Sequence, residues 1–235
     1  MFPGWTHDAY NSVKILLISS SPHKEASKTY LLAGEVVAGL AREGADVEAI
    51  HVDDYRVSFC KHCQACHKQL LHCSVNDDVP LILQKMLDAD GILLASPNYI
   101  RQVTASMKAI FDRCVHFIHC KRLWGKYVAG VVTSGSGQDQ EVVDYIKLYA
   151  HACGAQYSGS VSSAAHLVEK KKEQALQLAR DFALDIRHQR AYPDQIKILE
   201  AGREHFKRII QMRKDEWPGE YQYWKERGWL PEGQV

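Results

Sequence analysis

Four of the chain's seven cysteines crowd into one short stretch, Cys60-x2-Cys63-x2-Cys66-x6-Cys73. Thiolates at such compact spacing are ligands for an iron–sulfur cluster, and the first three repeat the spacing of the bacterial ferredoxin run. In that run the fourth cysteine serves a second cluster. No second set exists here, and Cys73 is spaced to fold back onto the same cluster. Zinc is the alternative, because it also takes four cysteines or a Cys/His mixture, and His62, His67 and His72 lie in the stretch. Zinc motifs, however, usually join one Cys-x2-Cys to another pair rather than to a third cysteine two residues on. The three histidines read as solvated loop residues. Cys114, Cys120 and Cys153 read as inert core thiols, and His116 and His119 as packed or solvated side chains with no evident partner.

Three further stretches carry polar groups suited to a ligand. Ser19 to Thr29 follows an apolar run and leads into a helical pattern. Hydroxyls and unpaired N–H groups at a helix N-terminus favour an anion such as phosphate, so Ser19, Ser21, His23, Ser27, Lys28 and Thr29 are candidate contacts; Ser27 alone would serve equally as a helix cap. The stretch lacks the glycines and the Gly-Lys-Ser/Thr ending of a Walker loop. Ser96-Pro97-Asn98-Tyr99-Ile100 combines a stiff backbone, a polar group and a ring, the mixture that suits a flat flavin. Its plainer reading is a turn starting a helix, with Met107 and Phe111 in the core. Thr133-Ser134-Gly135-Ser136-Gly137 is small enough for close backbone approach.

The elements that would hold these stretches alternate regularly. Val13–Ser19, Asp46–Val52, Gly91–Ala95, Tyr127–Thr133 and Gln156–Val161 are short apolar runs of the kind buried on both faces of a parallel sheet. Helical spacing is expected over Ser27–Glu43, over a segment ending near Asp88 with Asp77 and Asp78 in its first turn, and over Ala105 to about His116. It recurs on the face Val142, Val143, Ile146, Ala150 and Cys153, and over Lys170–Gln189. Strands alternating with helices predict parallel strands joined by right-handed crossovers. The expected fold is α/β and flavodoxin-like, a doubly wound five-stranded parallel sheet of order 2-1-3-4-5. A ligand would sit beyond the strand carboxyl ends at the switch point. Residues 1–190 would form this domain, with the cysteine loop at 54–76. Residues 191–235 would form a C-terminal helical extension, with a helix over Gln195–Lys214 and an aromatic tail over Trp217–Leu230. Trp217, Tyr221, Tyr223, Trp224 and Trp229 are anchor-type residues that suit a subunit interface, and this is preferred to packing on their own domain.

The Ser21-Pro22 loop ending in Ser27-x-Thr29, with Ser96-Pro97-Asn98-Tyr99 running through Met107-Lys108 to Phe111-Asp112-Arg113, resembles the NADPH-dependent FMN reductase superfamily over about residues 13–165. His23 stands where that family usually has Arg. The resemblance implies an FMN phosphate held through Ser21, Ser27 and Thr29, an isoalloxazine against Pro97 to Ile100, and a pocket closed by Thr133 to Gly137. With its compact four-cysteine motif between the second strand and the next helix, the chain resembles the iron–sulfur flavoprotein branch. That implies one [4Fe-4S] cluster on Cys60, Cys63, Cys66 and Cys73, and a homodimer or homotetramer. Such an assembly would answer a problem of distance, since the cysteine loop follows an edge strand and the flavin lies at the switch point.

The reading that follows is an FMN- and [4Fe-4S]-containing oxidoreductase. It would pass electrons between a ferredoxin-like donor and an acceptor such as a quinone, O2, peroxide or a small organic oxidant. One alternative is an NAD(P)H-dependent FMN or quinone reductase with a zinc-bound or vestigial cysteine loop. Another is a non-enzymatic redox sensor using the aromatic tail as a partner surface. With 29 Lys+Arg against 28 Asp+Glu, a net charge of +1 gives no electrostatic case for nucleic acid or an anionic membrane. No run approaches the length of a transmembrane helix, and Met1 to Asn11 has no apolar core of a signal peptide, so a cytoplasmic location is expected.

Overall fold

The computed structural model describes residues 12–230; the Met1 to Asn11 segment lies outside them. The sheet is five-stranded and parallel, with strand order β2-β1-β3-β4-β5: β1 Lys14–Ser19, β2 Asp46–His51, β3 Gly91–Pro97, β4 Tyr127–Ser134 and β5 Gln156–Ala164. The flavodoxin-like expectation holds. The three central strands are buried almost throughout, which is why they read as unbroken apolar runs rather than alternating ones.

Helices cover both faces. Leu17 and Leu93 point toward α1 (Lys28–Arg42) and α7 (Lys172–Arg187), meeting Leu32, Val36, Leu40, Ala179 and Phe182. The contact is tight: a Cβ on Gly39 would lie 2.5 Å from that of Ala179. Leu16, Ile18, Ile92 and Leu94 point the other way, toward α3 (Val79–Asp88), α4 (Ala105–Asp112) and α6 (Gln140–Cys153). Between β2, at the sheet edge, and α3 runs the cysteine loop, which contains the short α2 (Ala65–Lys68).

Four local expectations change. The helix expected from Ala105 to about His116 breaks at Arg113 and Cys114 and resumes as α5, Val115–His119. Its last turn tightens, with Arg113 N–H donating to Ile110 O and Cys114 N–H to Phe111 O. The Arg113 guanidinium meanwhile pairs with Asp77. Asp77 and Asp78 precede the helix rather than occupy its first turn, accepting bonds from Ser58 N–H and Arg56 N–H. Gln156–Val161 extends to Ala164. A 3-10 segment, Ala165–Lys171, then leads into α7.

The extension forms α8, Pro193–Met212, and α9, Pro218–Glu226, each opened by proline at its first position. Gln195 acts on the free edge of β5: its side-chain amide accepts from Tyr157 N–H at 2.7 Å and donates to Tyr157 O at 2.9 Å, as a neighbouring strand would. The aromatic tail packs on its own chain rather than standing free for a partner. Trp217, Trp224 and Ile210 bury against Cys120, with Leu70, Tyr221, Tyr223 and Trp229 around them.

Candidate functional site

Two concave sites open at the carboxyl side of the sheet. The first is a cleft of about 290 Å³ lined by Ser21, His23, Ala26, Ser27, Lys28, Thr29, Pro97, Asn98, Tyr99, Thr133, Ser134, Gly135 and Ala165. The three stretches singled out in the sequence therefore meet around one space. Ser27 caps α1, its hydroxyl accepting from Tyr30 N–H at 2.9 Å. The cap holds the start of the helix, with its dipole and spare donors, against the cleft. Thr29 and Thr133 hydroxyls bond each other at 2.6 Å and tie the first stretch to the third.

The second stretch is a tight hairpin. Tyr99 and Gln102 exchange backbone bonds of 2.9 and 3.1 Å, and Ile100 and Arg101 both have positive φ, 51° and 60°. Two consecutive left-handed residues make a type I′ turn, a costly conformation for β-branched Ile100. Asn98 fixes the hairpin by donating its N–H to Thr133 O at 2.7 Å, bonding Gln138 O, and accepting from Arg101 N–H at 2.8 Å. Arg101 reaches Glu141 on α6 at 3.0 Å.

Four candidates lie off the lining. Ser19 is buried within β1. The Ser96 hydroxyl accepts from the N–H of Thr104 at 3.1 Å and so holds the residue whose own hydroxyl caps α4. Gly137 shapes the third turn by donating to the Ser134 hydroxyl. Ile100 stands 97% exposed at the hairpin tip.

The second site gathers Cys60, Cys63, Cys66 and Cys73 around one cavity, closed by Leu71, Val79, Leu83, Arg113 and His116. Left-handed residues at His62, Gln64 and Leu71 let the loop wind back on itself. Donors already address the sulfurs: His62 N–H to Cys60 at 3.4 Å, the Ser74 hydroxyl to Cys63 at 2.9 Å, and Val75 N–H to Cys73 at 3.5 Å. The Ser74 bond holds the Cys63 thiol below its ordinary range. Arg113 is 5% exposed and His116 1% exposed. Arg113 Nε and Nη2 and both His116 ring nitrogens have no hydrogen-bond partner among the described residues. Buried unpaired polar groups are costly; here they border four thiols, and the Arg113 guanidinium interacts electrostatically with Cys73. That is the surrounding an anionic, sulfur-rich cluster needs.

By contrast, Cys114, Cys120 and Cys153 are buried among apolar groups, and burial pushes all three thiols up. They are core residues, as expected. His62 and His72 are exposed and His116 is packed, as expected, but His67 and His119 depart from expectation. His67 is buried and its Nδ1 bonds Glu220 at 2.7 Å, while His119 Nδ1 bonds the other carboxylate oxygen at 3.1 Å. Glu220 is 153 residues from His67, and nothing local in the sequence signals the pairing.

Residues 13–169 match the NADPH-dependent FMN reductase family. A curated iron-sulfur flavoprotein of Archaeoglobus fulgidus is 36% identical over 124 residues, 52% of this chain and 60% of that protein. A second iron-sulfur flavoprotein of the same organism aligns over 222 residues at 25% identity, covering 93% of this chain and all of its own length. The first match thus spans only about three-fifths of its relative. Among solved structures, an NADH:FMN oxidoreductase in its apo form superposes with a TM-score of 0.60 at 22% identity, covering 78% of this chain and 94% of that one, a likeness of fold. Because the family match takes in the whole five-stranded sheet and all three loops around the cleft, the chain belongs to the NADPH-dependent FMN reductase family.

Proposed function

We propose that this FMN-dependent oxidoreductase is an electron-transfer flavoprotein, with FMN in the cleft and a [4Fe-4S] cluster on Cys60, Cys63, Cys66 and Cys73. The observation that carries this reading is the cysteine cavity itself, where four thiols meet buried, unpartnered donors from Arg113 and His116. Zinc would also fill the four sulfurs, but a cluster adds sulfides and so more sulfur acceptors for those donors. The names of the curated relatives favour iron as well. When bound, FMN supplies two-electron chemistry that can be divided into single electrons, and the cluster carries electrons one at a time.

The chain's own residues bind and orient. The α1 N-terminus with Ser21, Ser27 and Thr29 suits a phosphate, and His23 and Lys28 border the same end. Pro97, Asn98 and Tyr99 offer a stiff, partly aromatic wall for a flat ring. The hairpin bonds of Asn98 hold that wall in place before a ligand arrives, which lowers the entropy cost of binding. Arg113 and His116 exclude water from the inner side of the cysteine cavity and offer donors to sulfur.

The electron donor in this reading is ferredoxin-like or NAD(P)H, and the acceptor is a small oxidant such as a quinone, O2 or peroxide. β2 lies at the sheet edge while the cleft lies over β1, β3 and β4, so a homodimer or homotetramer would bring one subunit's cluster toward another's flavin. Light scattering tests that assembly, and a strict monomer would count against it. No helix among the described residues is long and apolar enough to cross a membrane.

The deciding experiment is anaerobic isolation with iron, sulfide, zinc and flavin analysis, and spectra before and after dithionite. About four irons and one FMN per chain, with broad absorbance that bleaches, support the reading. One zinc beside a clean flavin spectrum would replace it with the NAD(P)H-dependent reductase.

A further inference from the structure

We infer that the C-terminal extension is a working part of the cysteine site: Glu220, with Trp217 and Gly219, positions the turn that carries Cys66. The inference rests on the cluster reading above. Glu220 lies near the start of α9 and is fully buried, and both of its carboxylate oxygens are engaged. One takes His67 Nδ1 at 2.7 Å and the other His119 Nδ1 at 3.1 Å. His67 directly follows Cys66 in α2, and His119 ends α5. The Trp217 indole stacks on both imidazoles, with ring centres 4.4 and 4.9 Å away. Two neighbouring elements from distant parts of the sequence, α2 and α5, are thus fastened to one residue of the extension.

The backbone makes a separate contact. A Cβ on Gly219 would fall 2.4 Å from Lys68 O and 2.7 Å from its carbonyl carbon. No side chain fits, because the start of α9 lies directly on the end of α2. Helix, rings and carboxylate therefore hold the same turn from different sides.

A buried carboxylate is expensive unless it is paired and hydrogen-bonded. Burial alone would push the Glu220 carboxyl up, yet the bonds from His119 and His67 hold it below its ordinary range. Its charge lies close to the site as well, because the His67 it bonds is the residue directly after Cys66. An apolar clamp would fasten the turn as firmly. A carboxylate in addition places fixed negative charge beside one cluster ligand. That charge disfavours adding an electron to the cluster and lowers its reduction potential.

The test uses full-length protein isolated anaerobically. Glu220→Gln keeps the shape and removes the charge; Glu220→Leu breaks the clamp; Gly219→Ala pushes α9 off α2 without changing any charge; Glu226→Gln, exposed on the same helix, is the control. Iron loss to a chelator should be about 10- to 100-fold faster in Glu220→Leu and Gly219→Ala, with FMN content and far-UV circular dichroism unchanged. In an EPR-monitored titration, Glu220→Gln should shift the cluster potential positive, while Glu226→Gln stays at the wild-type value. Wild-type chelator lifetimes in both disruptive variants, together with an unshifted potential in Glu220→Gln, would overturn the inference and leave the cluster reading standing. Wild-type protein that carries FMN but no iron would overturn both.

Discussion

Arg113 divides its guanidinium between two tasks. Nη1 bonds Asp77 and, at 3.1 Å, Ser58 O, while Nε and Nη2 remain for the cysteine cavity. The charge is permanent, so Arg113→Lys should keep the pairing but lose the fork. We expect Arg113→Gln to shed iron to a chelator faster than Arg113→Lys, with FMN content equal in both; equal iron retention in all three proteins would remove Arg113 from the site. Asp77 gives a pH prediction. Burial pushes its carboxyl up, but the Arg113 bond and Ser58 N–H outweigh that and hold it below the ordinary range. Its folded value lies below the unfolded one of about 3.9. The stabilisation is therefore complete above that pH and is lost as pH falls through the folded value. Asp77→Asn should be less stable than wild type by about 3–5 kcal/mol near neutral pH, because a buried guanidinium loses its partner. The difference between the two proteins should begin to shrink only below about pH 3.9 and vanish below the still lower folded value. In the cleft, Thr29→Val preserves volume and removes the bond to Thr133. FMN affinity measured by fluorescence quenching should fall about tenfold, the worth of about 1.4 kcal/mol.

At the scale of elements, the hairpin after β3 stores strain at its tip. Ile100 has φ of 51° and almost no contacts to compensate, being 97% exposed. A left-handed β-branched residue costs about 1–2 kcal/mol. Ile100→Asn, which suits a type I′ turn, should raise the thermal midpoint by several degrees in calorimetry. Unchanged FMN affinity would show that the tip is not part of the flavin wall; weakened affinity would show that Ile100 contacts the ring after binding. The break between α4 and α5 is the second informative element. Apolar spacing continues through it, with Met107, Ile110, Phe111, Cys114 and Phe117 all in one core, so periodicity gives no warning. What the break achieves is to bring Arg113 and His116 to the cysteine cavity.

For the whole molecule, the extension doubles as a cover for the β5 edge and as a support behind the cysteine loop. Trp224 is fully buried and donates to His119 O at 3.2 Å, so it ties α9 to α5. Trp224→Ala should cost about 3–5 kcal/mol and loosen the cysteine loop while leaving the flavin cleft, to which α9 contributes no lining residue, intact. Chemical denaturation with iron and FMN release followed in parallel would show this as two separated transitions. A single coincident loss would mean that the two sites stand or fall together.

The sequence by itself determined the sheet and its order, and it singled out the cysteine loop and the three stretches that border the cleft. Each of these is written locally: continuous apolar runs mark strands buried on both faces, and cysteines a few residues apart must share one loop. It also placed the three loops on one side, because parallel strands send every following loop to the same end of the sheet. Which loop residues face the cleft was left to the turns, since a hairpin at Ile100 and a cap at Ser27 send neighbours in opposite directions. Only tertiary structure joined Glu220 to His67 and His119, and gave the aromatic tail to its own chain rather than to a partner. Those contacts span more than a hundred residues, and a buried carboxylate is recognisable only once the groups that solvate it have been brought alongside.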